Sequence, residues 1–363
     1  MSPMLTRRQM LKLIVAAATT ATLAPTLHAR ASYPSELLPP GADFDPRHQL
    51  EPWVWMGRPI HTVAFYEKPS ASAKRLDVRY RDQAVELLEE VHAPFSAHND
   101  LWYRTPLGYA HSAWLLPMRI YPPQPFIQDI GKWGFWGEIS QVTTGGYTAP
   151  SLNASKQYTF YGGCVFWVIA ASEDDQGVGW YKVFDDYPPR QRTNHQWVLA
   201  KDVRRLPRQE LAPLRPFVGR KRIEVDLTAQ RLTCFEGDTP VLSTLIASGV
   251  GGHATPTGER NVLLKQGSRH MSNVPYEGGP ELENPSDMFD LPGIPWNTFF
   301  DLEGRAIHGV YWHNDFGVRR SHGCVNAPSE AARFVYRWTH PVGGFEDEFI
   351  QSDKRVGTPI LFY

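Results

Sequence analysis

Arg222-Ile223-Glu224-Val225-Asp226-Leu227 alternates polar and apolar positions, the period-2 pattern of a strand with one buried face. Thr228-Ala229-Gln230 interrupts it and Arg231-Leu232-Thr233-Cys234-Phe235-Glu236 resumes it, so the two segments predict a hairpin. After a turn at Glu236-Gly237-Asp238, Val241 to Ala247 predicts a third strand, and Pro-Gly punctuation continues to residue 305. Ala306-Ile307-His308-Gly309 reads as the end of a strand, and Pro359 to Tyr363 as the last one. The period changes once, after Pro328-Ser329-Glu330. Phe334, Val335 and Trp338 then fall on one helical face, with Ser329 placed to cap the first turn and Thr339-His340-Pro341 to stop it.

The amino-terminal half carries a different pattern, written twice. Trp102-Tyr103-Arg104, a turn, and Trp114-Leu115-Leu116 form one copy; Trp180-Tyr181-Lys182, a polar loop, and Trp197-Val198-Leu199 form the other. Short apolar strand candidates precede them, at Ala84 to Leu88 and Cys164 to Val168. Short strands at close spacing predict small β-barrels. Both copies resemble bacterial SH3-like domains, the second stretched by loops, and most of their tryptophans are expected in the cores. The expected fold is mainly β: two small barrels at 56–119 and 120–206, then a β-sandwich-like domain at 218–363 with one or two helices.

Ahead of these units, Arg7-Arg8 lead into a weakly apolar run from Leu13 to Leu27 and a small-x-small site at Ala29-Arg30-Ala31. Residues 1–31 thus resemble a twin-arginine signal peptide, and 32–55, with five prolines, a linker. The run is shorter than the ~20 residues of a membrane helix, so no stable membrane insertion is expected after cleavage. The expected address is the bacterial cell envelope. Composition narrows the field further. Lys+Arg 37 against Asp+Glu 38 gives a formal charge of −1, which provides no field to draw nucleic acid or anionic lipid. Three cysteines are too few for a disulfide framework and leave at least one thiol free in a monomer, the expected state.

That thiol is the centre of the candidate chemistry. Ser321-His322-Gly323-Cys324-Val325-Asn326 lies sixteen positions after His308-Gly309, counted from His308 to Cys324. A nucleophilic thiol needs an imidazole to take its proton and backbone amides to face the oxyanion formed on attack. Gly323 allows close approach of the backbone, and its N–H and that of Cys324 are the natural donors. The pattern resembles the L,D-transpeptidase (YkuD-like) family. The likeness extends through Gln230, Ser248-Gly249 with Thr255-Pro256-Thr257-Gly258, Pro295 to Phe300, and Gly357-Thr358-Pro359-Ile360.

The resemblance implies Cys324 as nucleophile and His308 as general base and acid. It also implies an orienting Gly309 carbonyl and an oxyanion hole from His322, Gly323 and Cys324. Asn326, Trp296 and Trp312 are expected to contact substrate, Ser321 to hydrogen-bond either the cysteine turn or substrate, and Asp315 to meet an incoming ammonium. Peptidoglycan is then the partner, as tetrapeptide donor and amine acceptor, with no metal or organic cofactor required, and a carbapenem would acylate the thiol. Hydrolysis of the same acyl-enzyme, as in an L,D-carboxypeptidase, and a non-catalytic wall-binding protein are the alternatives. His308, His313, His322 and Cys324 as zinc ligands form a further reading, but that would force the Gly-Cys turn onto the ion. Cys164 and Cys234 read as core residues, and His253, His270, His313 and His340 as surface or loop histidines. Gly249-Val250-Gly251-Gly252 lacks the Lys-Ser/Thr of a phosphate loop and reads as a turn.

Overall fold

The computed structural model describes residues 54–186, 195–275, 288–352 and 357–363. The signal peptide and nearly all of the linker expected at the amino terminus lie outside the described residues. The molecule is mainly β, built from five sheets. Residues 54–120 form a three-stranded sheet centred on Val54–Pro59 and a five-stranded sheet running from Arg75–Arg79 to Glu89–His92. Between them Val63, Phe65, Tyr103 and Leu115 form a small core. A seven-stranded sheet follows, from Lys156–Tyr161 at one edge to Val203–Arg205 at the other. None of the described sheets closes into a barrel, so the expected barrels are open sheets, the second too wide for a small barrel.

The repeat seen in the sequence has a structural counterpart. Trp102-Tyr103-Arg104 and Trp180-Tyr181-Lys182 lie in the strands Leu101–Thr105 and Gly179–Phe184, each paired antiparallel to the following strand. Each pair then leads through a three-residue 3₁₀ turn, Ser112–Trp114 or Ala200–Asp202, into a further strand. Both Trp-Tyr pairs are buried although neighbouring strand residues point to opposite faces, so each of these strands is covered on both sides there, and the basic residue that follows is partly exposed. The second tryptophans differ: Trp114 is exposed on its turn, whereas Trp197 sits within the strand His195–Leu199.

Residues 221–362 hold the remaining two sheets. One orders Thr239–Leu245, Arg231–Glu236, Lys221–Asp226, Pro359–Phe362 and Gly258–Asn261. The other orders Val325–Ala327, Ala306–Gly309, Asp290–Phe299, Leu264–Ser272 and Phe349–Gln351. The predicted hairpin, third strand and terminal strand all occur within two residues of expectation. Ile223, Val225, Leu232, Ile307, Val325 and Phe334 share one core between the sheets and the helix.

That helix, Ser329–Trp338, stops at Thr339 as predicted, but Ser329 does not cap it. Its hydroxyl donates to the Val310 carbonyl at 3.2 Å, and Pro328 holds the cap position without a side-chain bond. The other end is satisfied from outside the helix. Lys221 Nζ donates to the Trp338 carbonyl at 2.8 Å, and Lys265 Nζ to those of Tyr336 at 2.8 Å and Thr339 at 3.0 Å. Two buried ammonium groups therefore meet the negative end of the helix dipole. The polar face is covered as well, since Arg333 reaches Glu210 and Glu330, both at 2.7 Å.

Candidate active site

The two parallel strands Ala306–Gly309 and Val325–Ala327 set the site. Their register pairs Ile307 with Val325, His308 with Asn326 and Gly309 with Ala327. Ile307, Val325 and Ala327 face the core, so the alternation of side chains turns His308, Asn326 and the preceding Cys324 to the opposite face. A period of two thus puts imidazole and thiol on one surface, on adjacent strands.

His308 is 2 % exposed, and its Nδ1–H donates to the Gly309 carbonyl at 2.9 Å. A carbonyl only accepts, so this bond leaves Nε2 as the basic nitrogen. Burial disfavours the imidazolium and pulls the pKa of His308 down to about 4, against a smaller opposing pull from that carbonyl. The Cys324 thiol is half-buried and is pushed up to about 11, chiefly by desolvation, although the Ala306 N–H bonds to it. At neutral pH the resting pair is therefore a neutral thiol beside a neutral imidazole.

The turn carrying Cys324 is pinned from several directions. Ser321, 6 % exposed, donates its hydroxyl proton to the Cys324 carbonyl at 2.5 Å, and its oxygen accepts from the Gly323 N–H at 3.2 Å. Ser321 thus supports the turn instead of reaching into the cleft. Gly323 has φ +105°, and its carbonyl accepts from Thr255 Oγ1 at 3.0 Å. Thr255 Oγ1 in turn accepts from the Gly249 N–H at 2.9 Å, and Gln230 holds Ser248 by its amide and hydroxyl at 2.8 and 2.7 Å. The Gly-rich stretch after Ser248 is a turn, as read, and it braces the cysteine. Of the amides expected at an oxyanion, that of Gly323 is engaged by Ser321 in this state. His322 is exposed, with its ring against His253 at 4.6 Å and Phe289 at 5.1 Å.

Three substrate-contact expectations are corrected. Trp296 is 3 % exposed, adopts φ +62° and packs on Tyr336 at 5.6 Å, so its indole belongs to the core. Asn326 Nδ2 lies 3.0 Å from His313 Nε2 and is buried; it orients that histidine. Asp315 is held by His98 Nε2 at 3.1 Å and by Arg320, so its charge is already matched. Trp312 alone of the expected walls stays partly exposed, its ring 5.9 Å from that of His308. His313 and His270 are buried rather than superficial, and His270 bridges Asp185 at 2.8 Å and Asp290 at 2.7 Å. Cys164 and Cys234 are buried free thiols. Among the described residues no group of three or more His, Cys, Asp or Glu side chains is placed to hold a metal ion, and no helix is long and apolar enough to cross a membrane.

What the sequence did not reveal is the grip on the segment between His308 and Cys324. Arg58 donates to the Tyr311 carbonyl, and Asn314 Nδ2 reaches Tyr103 Oη at 3.3 Å and the Ser112 carbonyl at 3.2 Å. His98 holds Asp315. All these partners come from residues 58–112, more than 190 positions away, and no local spacing encodes such contacts.

Residues 220–361 match the model of the YkuD family, the L,D-transpeptidase catalytic domain. Among solved structures, a mutant Enterococcus faecium L,D-transpeptidase is 23 % identical, with 41 % of this chain and 51 % of that one covered and a TM-score of 0.30. An L,D-transpeptidase from Mycobacterium smegmatis is 15 % identical over 53 % of this chain and 98 % of that one, with a TM-score of 0.32. L,D-transpeptidase 3 from Mycobacterium tuberculosis, carrying a faropenem-derived adduct, is 17 % identical over 55 % and 90 %, with a TM-score of 0.31. The chain spans about half the length of the Enterococcus faecium protein. No curated protein matches. The likeness to the L,D-transpeptidase catalytic domain is thus carried by residues 220–361, the stretch that holds His308 and Cys324.

Proposed function

We propose that this protein is an exported cysteine L,D-transpeptidase acting on peptidoglycan stem peptides. The observation that carries the reading is the placement of His308 and Cys324 on one face of two parallel strands, with Nδ1 of the histidine committed to Gly309 and Nε2 left to accept a proton. In the proposed reaction Cys324 Sγ attacks the carbonyl of the third stem residue. The S–C bond forms as the thiol proton passes to His308 Nε2. That proton is then given to the nitrogen of the terminal D-alanine as its C–N bond breaks. An amine of a second stem, or of an envelope protein, takes the acyl group from sulfur and restores the thiol.

The Cys324 N–H, with those of His322 and Gly323, serves the oxyanion; Gly323 joins once its bond to Ser321 opens. A neutral base suits this role, because an imidazolium could not take the thiol proton. Hydrolysis of the thioester, an L,D-carboxypeptidase activity, is the second reading. Trp312 favours transfer, since its indole stands beside His308 where it limits the approach of water. The twin-arginine pattern and signal cleavage near Ser32 place the enzyme in the cell envelope in this reading.

Incubating the full chain with tetrapeptide muropeptides and reading the products by mass spectrometry tests the proposal. Cross-linked dimers that have lost D-alanine are expected, and none with Cys324→Ala. Unchanged substrate with the wild-type chain overturns the enzymatic reading, and tripeptide alone with abundant acceptor selects the carboxypeptidase.

A further inference from the structure

Where residues 54–120, the seven-stranded sheet and the catalytic domain meet, they enclose a cleft of about 550 Å³. This is the size of a small-molecule or peptide subsite. Arg58, Arg81, Tyr161, Tyr311 and Trp312 line it, so each of the three parts contributes. The cleft ends one ring from the catalytic histidine, because Trp312 forms its wall and stands 5.9 Å from His308.

Two guanidinium groups, of Arg58 and Arg81, line the cleft against one carboxylate, that of Asp290. Arg58 bonds Asp82 at 2.7 Å, and Arg81 lies 3.8 Å from the same carboxylate, so two guanidinium groups share one anion. Asp290, the acidic residue of the lining, is turned to His270 at 2.7 Å. Arg81 is 61 % exposed at the rim, with the Tyr161 hydroxyl 3.4 Å from its Nη2. Deeper in, Arg58 is 2 % exposed, lies 4.4 Å from the Tyr161 ring centroid, and its buried Nε–H has no acceptor among the described residues. A buried donor without a partner costs stability unless something supplies an oxygen. The rings of Tyr161 and Tyr311 stack at 6.1 Å and offer flat apolar surface beside these cations.

We infer that this cleft is a binding subsite for a carboxylate-bearing part of the peptidoglycan substrate, with Arg81 meeting the carboxylate and the aromatic rings packing against the chain that carries it. This rests on the proposed function and extends it: the amino-terminal units build part of the substrate site instead of acting as separate anchors. Because Arg58 holds the Tyr311 carbonyl while lining the cleft, the site is organised before the substrate arrives.

Calorimetry with the full-length Cys324→Ala chain tests this, using a disaccharide-tetrapeptide muropeptide and the same compound with its carboxylates amidated. Arg81→Glu should weaken binding of the free-carboxylate probe about 10-fold, change that of the amidated probe less than about 2-fold, and respond to salt. Arg81→Lys should recover part of the loss. Carbapenem addition to Cys324 in the wild-type chain reports separately on the proposed nucleophile. Equal affinity of wild type and Arg81→Glu for the free-carboxylate probe, or equal binding of the two probes by the wild-type cleft, overturns the inference. A chain that neither adds carbapenem nor turns over muropeptide defeats the enzymatic proposal instead, and probe binding still reports on the cleft.

Discussion

At the scale of single residues, the proposed chemistry depends on two groups that are both neutral at rest. His308 lies well below and Cys324 well above the physiological range, each moved mainly by burial. Proton transfer must then accompany attack on the carbonyl, and the pH profile should show it. Below about pH 4 the base is protonated and kcat/KM should fall; through neutrality it should stay flat, with no inflection near 6.5; a change should return only as the thiol ionises near 11. Stopped-flow acylation from pH 5 to 9 checks this, and a clear step near 6.5 would assign the base to a solvated histidine. His308→Ala should cost about 10²–10⁴-fold in acylation rate, and His322→Ala less if it acts through its amide. Cys324→Ala should lose turnover and the carbapenem adduct while keeping the fold, as intact-mass measurement and circular dichroism will show.

At the scale of elements, the short turn from Ser321 to Cys324 holds the nucleophile by contacts on both sides. Gly323 sits at φ +105°, and a Cβ there would come within 2.9 Å of Arg305 Nε. Gly323→Ala should therefore destabilise the chain by about 1–3 kcal/mol and reduce acylation by more than that loss explains, because the turn that aims the thiol is displaced. Denaturant midpoints alongside acylation rates separate the two effects. Normal acylation in a well-folded variant would show that the turn tolerates a side chain. The strands were legible from alternation, and the helix from its change of period. Its flanking contacts were not, because Lys221 and Lys265 reach it from strands far away in sequence. Trp296 illustrates the same limit. Its place in a strand near the site was readable, but the positive φ that turns its indole into the core was not.

At the scale of the whole molecule, the segment from Tyr311 to Gly317 belongs to the catalytic domain by sequence but is held by the amino-terminal sheets. Asn314→Ala removes a donor that reaches Tyr103 Oη and two carbonyls, those of Ser112 at 3.2 Å and Leu115 at 3.5 Å. It should loosen that segment and raise KM for muropeptide more than it lowers kcat. Steady-state kinetics read the split, and a purely kcat effect would argue that the segment serves chemistry and not binding. Trp312→Ala, which opens the space beside His308, should shift products from cross-linked dimers toward tripeptide, measured by the ratio of the two in one digest. An unchanged ratio would remove the indole from the control of water.

The sequence by itself determined the class of elements and which positions alternate into the core, since these follow from spacing along one strand, and it marked the Ser321–Asn326 and His308–Gly309 motifs as the candidate site. It also marked Gln230, Ser248 and Thr255, whose bonds brace the cysteine turn. Only the tertiary structure decided which polar residues are already spent, as Asp315 is on His98 and Arg320 and Asn326 is on His313. It alone decided that the cleft beside Trp312 is walled by three parts of the chain. The physical reason is range: alternation and turn chemistry act between chain neighbours, whereas a side chain's partner is set by packing, whether the partner lies a few positions away or hundreds.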